Sequence, residues 1–122
     1  MPRILIADDE PNIVASLEFL MEQAGYEVKV AASGQEALEL AASFHPDLVL
    51  LDVMMPGKNG YEVCQSLKSD PATRAVKVVL LSAKGRDVEV AKGLELGADA
   101  YVTKPFSTRE LIEQAKGLLG VA

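Results

Sequence analysis

Five polar side chains interrupt the apolar pattern of the chain: Asp8 with Asp9 beside it, Asp52, Ser82 and Lys104. Each stands just after a short apolar run. Carboxylates brought together repel one another, and one is driven toward its protonated form unless a cation compensates. Lys104 is one such cation, able to reach a carboxylate or phosphate as a point charge. A divalent metal is the other. Ligation by carboxylates, a backbone carbonyl and water suits Mg²⁺ or Mn²⁺ rather than zinc, and the single His45 and single Cys64 do not make a zinc set. A metal, a lysine and a hydroxyl around one carboxylate suit phosphoryl transfer. An aspartate can attack phosphorus and form an acyl phosphate, and the protein's task is then to position reactants and neutralise oxygens. The expected arrangement has the metal bridging Asp52 and the phosphoryl group, Lys104 on a second oxygen and Ser82 donating to a third.

Residues so far apart in sequence can meet only if the elements carrying them converge. Runs rich in Val, Ile and Leu occur at Ile4–Ala7, Val28–Ala31, Leu48–Leu51, Val76–Leu81 and Ala100–Val102, several apolar throughout, as strands covered on both faces are. Helical stripes lie between them: Ile13, Leu17, Leu20, Met21; Ala37, Leu38, Ala41; Tyr61, Cys64, Leu67; a weaker set of Val88, Val90, Ala91, Leu94 and Glu95; and Leu111, Ile112, Ala115, Leu118, Leu119. Ser33 or Gly34 opens the second helix, and Ser107 or Thr108 the fifth, with Glu110 following. Pro11 suits a first helical turn. Gly25 and Gly97 suit left-handed helix ends, and Pro46 and Pro71 mark loops. Five strands alternating with five helices predict a parallel sheet with helices on both faces. All its strand C-termini then lie on one edge, where open α/β sheets bind ligands.

The 122 residues are expected to form one domain spanning 1–122. With 12 Lys+Arg against 18 Asp+Glu, the net charge is −6. That acidity argues against a nucleic-acid grip, which needs clustered basic residues. The lone cysteine cannot form an internal disulfide, and no signal peptide or apolar run of about 20 residues is found. A cytoplasmic domain without a membrane partner is the expectation.

The chain resembles, over its whole length, the receiver domain of bacterial two-component response regulators. The resemblance rests on the Asp8-Asp9 pair, Leu-Leu-Asp-Val-Met-Met-Pro-Gly at 50–57, Leu-Ser-Ala at 81–83, Gly-Ala-Asp-Ala-Tyr at 97–101 and Thr-Lys-Pro-Phe at 103–106. Each motif alone is weak, and all of them in order are specific. The resemblance implies a flavodoxin-like sheet of order 2-1-3-4-5. It makes Asp52 the phosphoacceptor and Lys104 the essential lysine. Asp8, Asp9, Asp52 and the Met54 backbone carbonyl become the ligands of Mg²⁺, with Mn²⁺ as a substitute. Ser82 is implied as the switch hydroxyl, Tyr101 as the switch aromatic, Ala83 as the small residue that keeps the pocket open, and Lys104–Pro105 as a cis peptide. The implied donor is a phosphohistidine on a sensor histidine kinase or phosphotransfer domain. The implied output is a change on helix 4, strand 5 and helix 5, read by a downstream effector or by a dimer formed through that face. Met54 and Lys84 occupy positions that tune phosphoryl lifetime. With no acid or amide at 54 to orient a water, slow hydrolysis is expected.

Simpler roles exist for each residue. Asp8 and Asp9 could cap a helix, Ser82 could be a loop serine, Tyr101 edge packing and Lys104 a surface lysine. Their joint placement after successive strands favours a site. His45 is expected in an exposed turn, Cys64 in packing, Met54 and Met55 in loop packing, and Lys58, Lys68, Lys77 and Lys84 in solvent. A flavin carrier of this topology would want a Ser/Thr/Gly-rich loop where Asp8-Asp9-Glu10 stands. A dinucleotide enzyme would want Gly-x-Gly-x-x-Gly there. A haloacid-dehalogenase-type phosphatase would want Asp-x-Asp. A receiver-like module that is never phosphorylated would have lost the acceptor, acidic pair or lysine.

Overall fold

Leu-Val-Leu-Leu-Asp is buried at every position of strand β3 (Leu48–Asp52), which marks a strand with a helical layer on each face. In a computed structural model, which describes residues 2–83 and 87–120 and the side chains of all of these but 87–89, the other strands of its sheet are β1 (Arg3–Ala7), β2 (Glu27–Ala31), β4 (Lys77–Ser82) and β5 (Ala100–Thr103). All pairings are parallel, in the order β2-β1-β3-β4-β5. Helices α1 (Pro11–Gln23), α2 (Gly34–Phe44), α3 (Gly60–Ser69), α4 (Asp87–Glu95) and α5 (Thr108–Leu119) alternate with the strands. The doubly wound, flavodoxin-like expectation is met. The expected packing of Val88 lies outside the described residues. Among the described residues, no helix is long and apolar enough to cross a membrane.

Alternation along each strand sorts the core into two clusters. Leu5, Val49, Leu51, Val78 and Leu80 pack with Ala37 and Ala41 of α2 and with Tyr61, Cys64 and Leu67 of α3. Ile4, Ile6, Leu48, Leu50, Val79 and Leu81 pack with Leu17 and Met21 of α1 and with Leu111 and Ala115 of α5. The same alternation carries through the strand ends. Asp8 follows the parity of Ile4 and Ile6, Asp52 that of Leu48 and Leu50, and Lys104 that of Ala100 and Val102. All three therefore fall on the α1/α5 face. Ser82 follows Val78 and Leu80 onto the other face.

Local signals set the helix starts. The Ser33 hydroxyl accepts from the Glu36 N–H, and Ser107 from the Glu110 N–H. Helix α3 has a full capping box: Asn59 accepts from the Glu62 N–H while Glu62 accepts from the Asn59 N–H. Gly25 and Gly97 do have positive φ, at 97° and 102°. Lys68 departs from the expectation of a solvated lysine. Its ammonium donates to the Val76 carbonyl at 2.6 Å and to Asp99 Oδ2 at 3.2 Å, and Asp99 also accepts from the Val78 N–H. The long stem bridges α3 to the far edge of β4, a contact between elements that helical periodicity does not contain.

Gly60 is where the chain folds back tightest on the site. A Cβ there would lie 2.5 Å from the Asp52 carbonyl oxygen and 2.7 Å from Val53 Cα, and both are backbone that cannot step aside. Gly117, on α5, would meet nothing within 4 Å. Gly60→Ala should therefore cost about 2–4 kcal/mol, and Gly117→Ala should add about 0.5–1 kcal/mol through helix propensity. Urea denaturation of the two variants checks both signs.

Candidate functional site

Register brings the first two carboxylates together. Strand pairing ends with Ala7 opposite Leu51, so the next residues, Asp8 and Asp52, are neighbours about 4.8 Å apart across the sheet. The ladder does not stop at the strand ends. The Asp8 N–H donates to the Ala31 carbonyl at 3.1 Å, Val53 N–H to Leu81 at 2.9 Å and Lys104 N–H to Ser82 at 2.7 Å. The backbones that bear the polar groups are thus held as firmly as the sheet itself. Each carboxylate also closes a turn of its own: Asp8 Oδ1 accepts from the Glu10 N–H at 2.9 Å, and Asp52 Oδ1 from the Met54 N–H at 3.2 Å.

The lysine lies at the centre of this group. Lys104 Nζ is 3.3 Å from Asp8 Oδ2, 3.1 Å from Glu10 Oε1 and 3.5 Å from Asp52 Oδ1. Its charge is partly buried, and the Lys104–Pro105 peptide that sets its turn is cis. Burial alone would lower the lysine pKa, but the hydrogen bond to Glu10 and the charges of Asp52 and Asp8 overcome it and the pKa is raised. For Asp52 the balance runs the other way. Burial, then the neighbouring charge of Asp8, push its pKa up to about 6, against the opposing pull of Lys104 and of the Met54 N–H. Asp52 is 3 % exposed. Both of its interactions fall on Oδ1, and among the described residues no hydrogen bond reaches Oδ2.

Ligand oxygens of Asp8, Glu10 and Asp52 all lie within 4.8 Å of one another. Asp9 is exposed and stands outside this trio. Residues 8 and 10 share one face of the segment after β1, as side chains two apart in an extended chain do. Glu10 is the residue that sequence reasoning passed over. The alternation of the strand, carried three residues past its end, was the signal. Ser82 is fully buried at the end of β4. Ala83 is exposed and lines, with Glu10, Lys104, Pro105 and Phe106, a groove of about 630 Å³ beside α1. Met54 contributes its N–H to Asp52 while its side chain is exposed, and Met55 is buried. Lys84 lies outside the described residues. Tyr101 sits on β5, partly buried against the α2/α3 cluster.

The family model described as the response regulator receiver domain matches residues 4–116. The chain belongs to that family. Receiver domains are phosphoacceptor signalling modules of two-component systems, whose acidic pocket generally binds Mg²⁺ and which generally engage histidine kinases and effectors. Three solved relatives are similar along almost the whole receiver domain. The signal receiver domain of a signal transduction histidine kinase from Syntrophus aciditrophicus is 36% identical, with a TM-score of 0.90 over 99% of this chain and 92% of that one. A CheY-like response regulator receiver domain protein from Methanospirillum hungatei JF-1 is 31% identical, with a TM-score of 0.91 over 98% and 94%. The BeF3-activated N-terminal receiver domain of RstA from Klebsiella pneumoniae is 30% identical, with a TM-score of 0.88 over 96% and 97%.

The raised Asp52 pKa has a direct consequence for stability. The folded state holds the Asp52 proton more tightly than the unfolded state. The resulting stabilisation is complete below about pH 4 and is lost as pH rises through about 6. At pH 7.5 the wild type therefore carries an unfavourable buried charge that Asp52→Asn removes. Without divalent cations the variant should be more stable by roughly 2 kcal/mol at pH 7.5, with the gain vanishing near pH 4. Urea melts across that pH range check the trend.

Proposed function

We propose that this receiver domain accepts a phosphoryl group on Asp52 from a phosphohistidine of a sensor histidine kinase or phosphotransfer domain. The observation that carries the proposal is Asp52 itself: buried, fixed through Oδ1 by the Met54 N–H, with a lysine ammonium 3.5 Å away. A carboxylate so placed is oriented for in-line attack without being neutralised. An Asp52 oxygen forms the bond to phosphorus as the phosphorus–nitrogen bond of the donor breaks, and the imidazole leaves. Lys104, already beside Asp8, Glu10 and Asp52, offsets charge on the transferred group. Ser82, at the end of the adjacent strand, is the hydroxyl proposed to donate to a phosphoryl oxygen.

The donor set fits Mg²⁺, with Mn²⁺ as a substitute, because it is all oxygen, anionic and clustered. Asp8 and Asp52 would hold the ion, joined by Asp9 and the Met54 carbonyl as the resemblance implies. When bound, it supplies positive charge that offsets the oxygens of the acceptor and the phosphoryl group. Met54 brings no acid or amide to orient a water, which favours a long-lived acyl phosphate. Ser82 and Tyr101 would carry the change to the face made by α4, β5 and α5, there to be read by an effector or by a second copy of the domain.

Incubation with acetyl phosphate and Mg²⁺ should add one phosphoryl group by intact mass, labile to hydroxylamine. Asp52→Asn should add none, and Asp9→Asn should slow labelling at least tenfold. Labelling of Asp52→Asn equal to wild type would sink the assignment.

A further inference from the structure

The proposed switch aromatic has a partner that lies outside the phosphoacceptor group. The hydroxyls of Tyr61 and Tyr101 are 3.2 Å apart, linking the first turn of α3 to β5 across 40 residues of sequence. Tyr61 is buried, in the α2/α3 cluster against which Tyr101 packs. The Lys92 ammonium of α4 lies 4.6 Å from the centre of the Tyr61 ring. Tyr101 in turn lies against α4 where a glycine admits it: a Cβ on Gly93 would come within 2.9 Å of Tyr101 Cδ2. Behind Tyr61 stands Gly60, pressed on the Asp52 carbonyl and donating its N–H to the Val53 carbonyl at 2.9 Å. Tyr61 therefore touches helix α4 and the aromatic on β5, while its chain neighbour Gly60 abuts the backbone that carries the phosphoacceptor.

We infer that Tyr61 is a positioning residue, whose hydroxyl holds Tyr101 packed inward on Gly93 before any phosphoryl group arrives. This rests on the proposed function, in which Tyr101 carries the change to the α4, β5 and α5 face, with the added premise that the phosphorylated state favours its inward position. A hydrogen bond made only in that position raises its population in the resting domain. The affinity for a phosphoryl mimic rises by up to the same factor, since less of the binding energy goes into moving Tyr101. One neutral hydrogen bond corresponds to about fivefold. Tyr61→Phe keeps the ring, its burial and the Lys92 contact and deletes only the hydroxyl, so the effect is isolated from packing.

The test is a beryllofluoride titration in Mg²⁺, followed by NMR, of wild type, Tyr61→Phe, Tyr101→Phe and the double variant. Tyr61→Phe should weaken the apparent affinity about fivefold, and the double variant should be no weaker than the weaker single variant, because both remove the same bond. An unchanged affinity in Tyr61→Phe, or losses that multiply in the double variant, would overturn the inference while leaving Asp52 as acceptor intact. A wild type blind to beryllofluoride would instead count against the phosphoacceptor assignment and, with it, this inference. A urea double-mutant cycle on the same four proteins provides a reading independent of the mimic: positive coupling is expected, and zero coupling would show that the hydroxyls do not interact in solution.

Discussion

Two carboxylates held side by side in a buried place are the constraint on which the rest of this molecule turns. The parallel register sets Asp8 and Asp52 at neighbouring strand ends, and the ladder hydrogen bonds that continue past those ends prevent them from drifting apart. Neither can escape to water. Their repulsion has to be met by a cation, and Lys104 meets part of it from a third strand. Burial first, and then what remains of that repulsion, raise the Asp52 pKa. A fold that keeps this arrangement spends stability on it, as functional sites commonly do. The excess negative charge that destabilises the resting domain is also what would attract a divalent ion.

Charges elsewhere are used differently. At the opposite edge of the sheet, Lys68 and Asp99 satisfy one another and three backbone groups, tying α3 to β4 and to the turn before β5. That cluster has one cation, one anion and neutral backbone groups, so it is balanced and has no call on an outside ion. Cys64 nearby is buried, and burial pushes its thiol up to about 11, which makes it packing rather than chemistry. The contrast separates a structural ion pair from an anionic site with two more negative charges than positive ones.

Much of this was legible in the sequence. Period-two and period-3.6 patterns were enough for the strands, the helices and their alternation, and parallel strands bring their C-terminal residues to one edge whatever the side chains are. The convergence of Asp8, Asp52, Ser82 and Lys104 on that edge follows from topology alone. What was missed depends on geometry beyond an element's own period. Glu10 joins Asp8 and Asp52 because side chains two residues apart share a face in the segment after β1. Lys68 and the Tyr61–Tyr101 pair involve contacts between elements whose relative placement no single stripe records. Gly60 and Gly93 matter for what approaches them, namely the Asp52 backbone and the Tyr101 ring, and a glycine in a sequence does not name its neighbour.

The account stands most directly on the ionisation of Asp52. A carbon-13 NMR titration of its carboxyl group, with and without saturating Mg²⁺, measures that quantity at the atom concerned. Without metal the carboxyl should titrate near 6, and Mg²⁺ should move the midpoint downward, since a neighbouring cation favours the charged form. A midpoint near the ordinary value of 3.8 that does not respond to Mg²⁺ would contradict the account, because Asp8 and Asp52 would then not share a compressed, cation-seeking site.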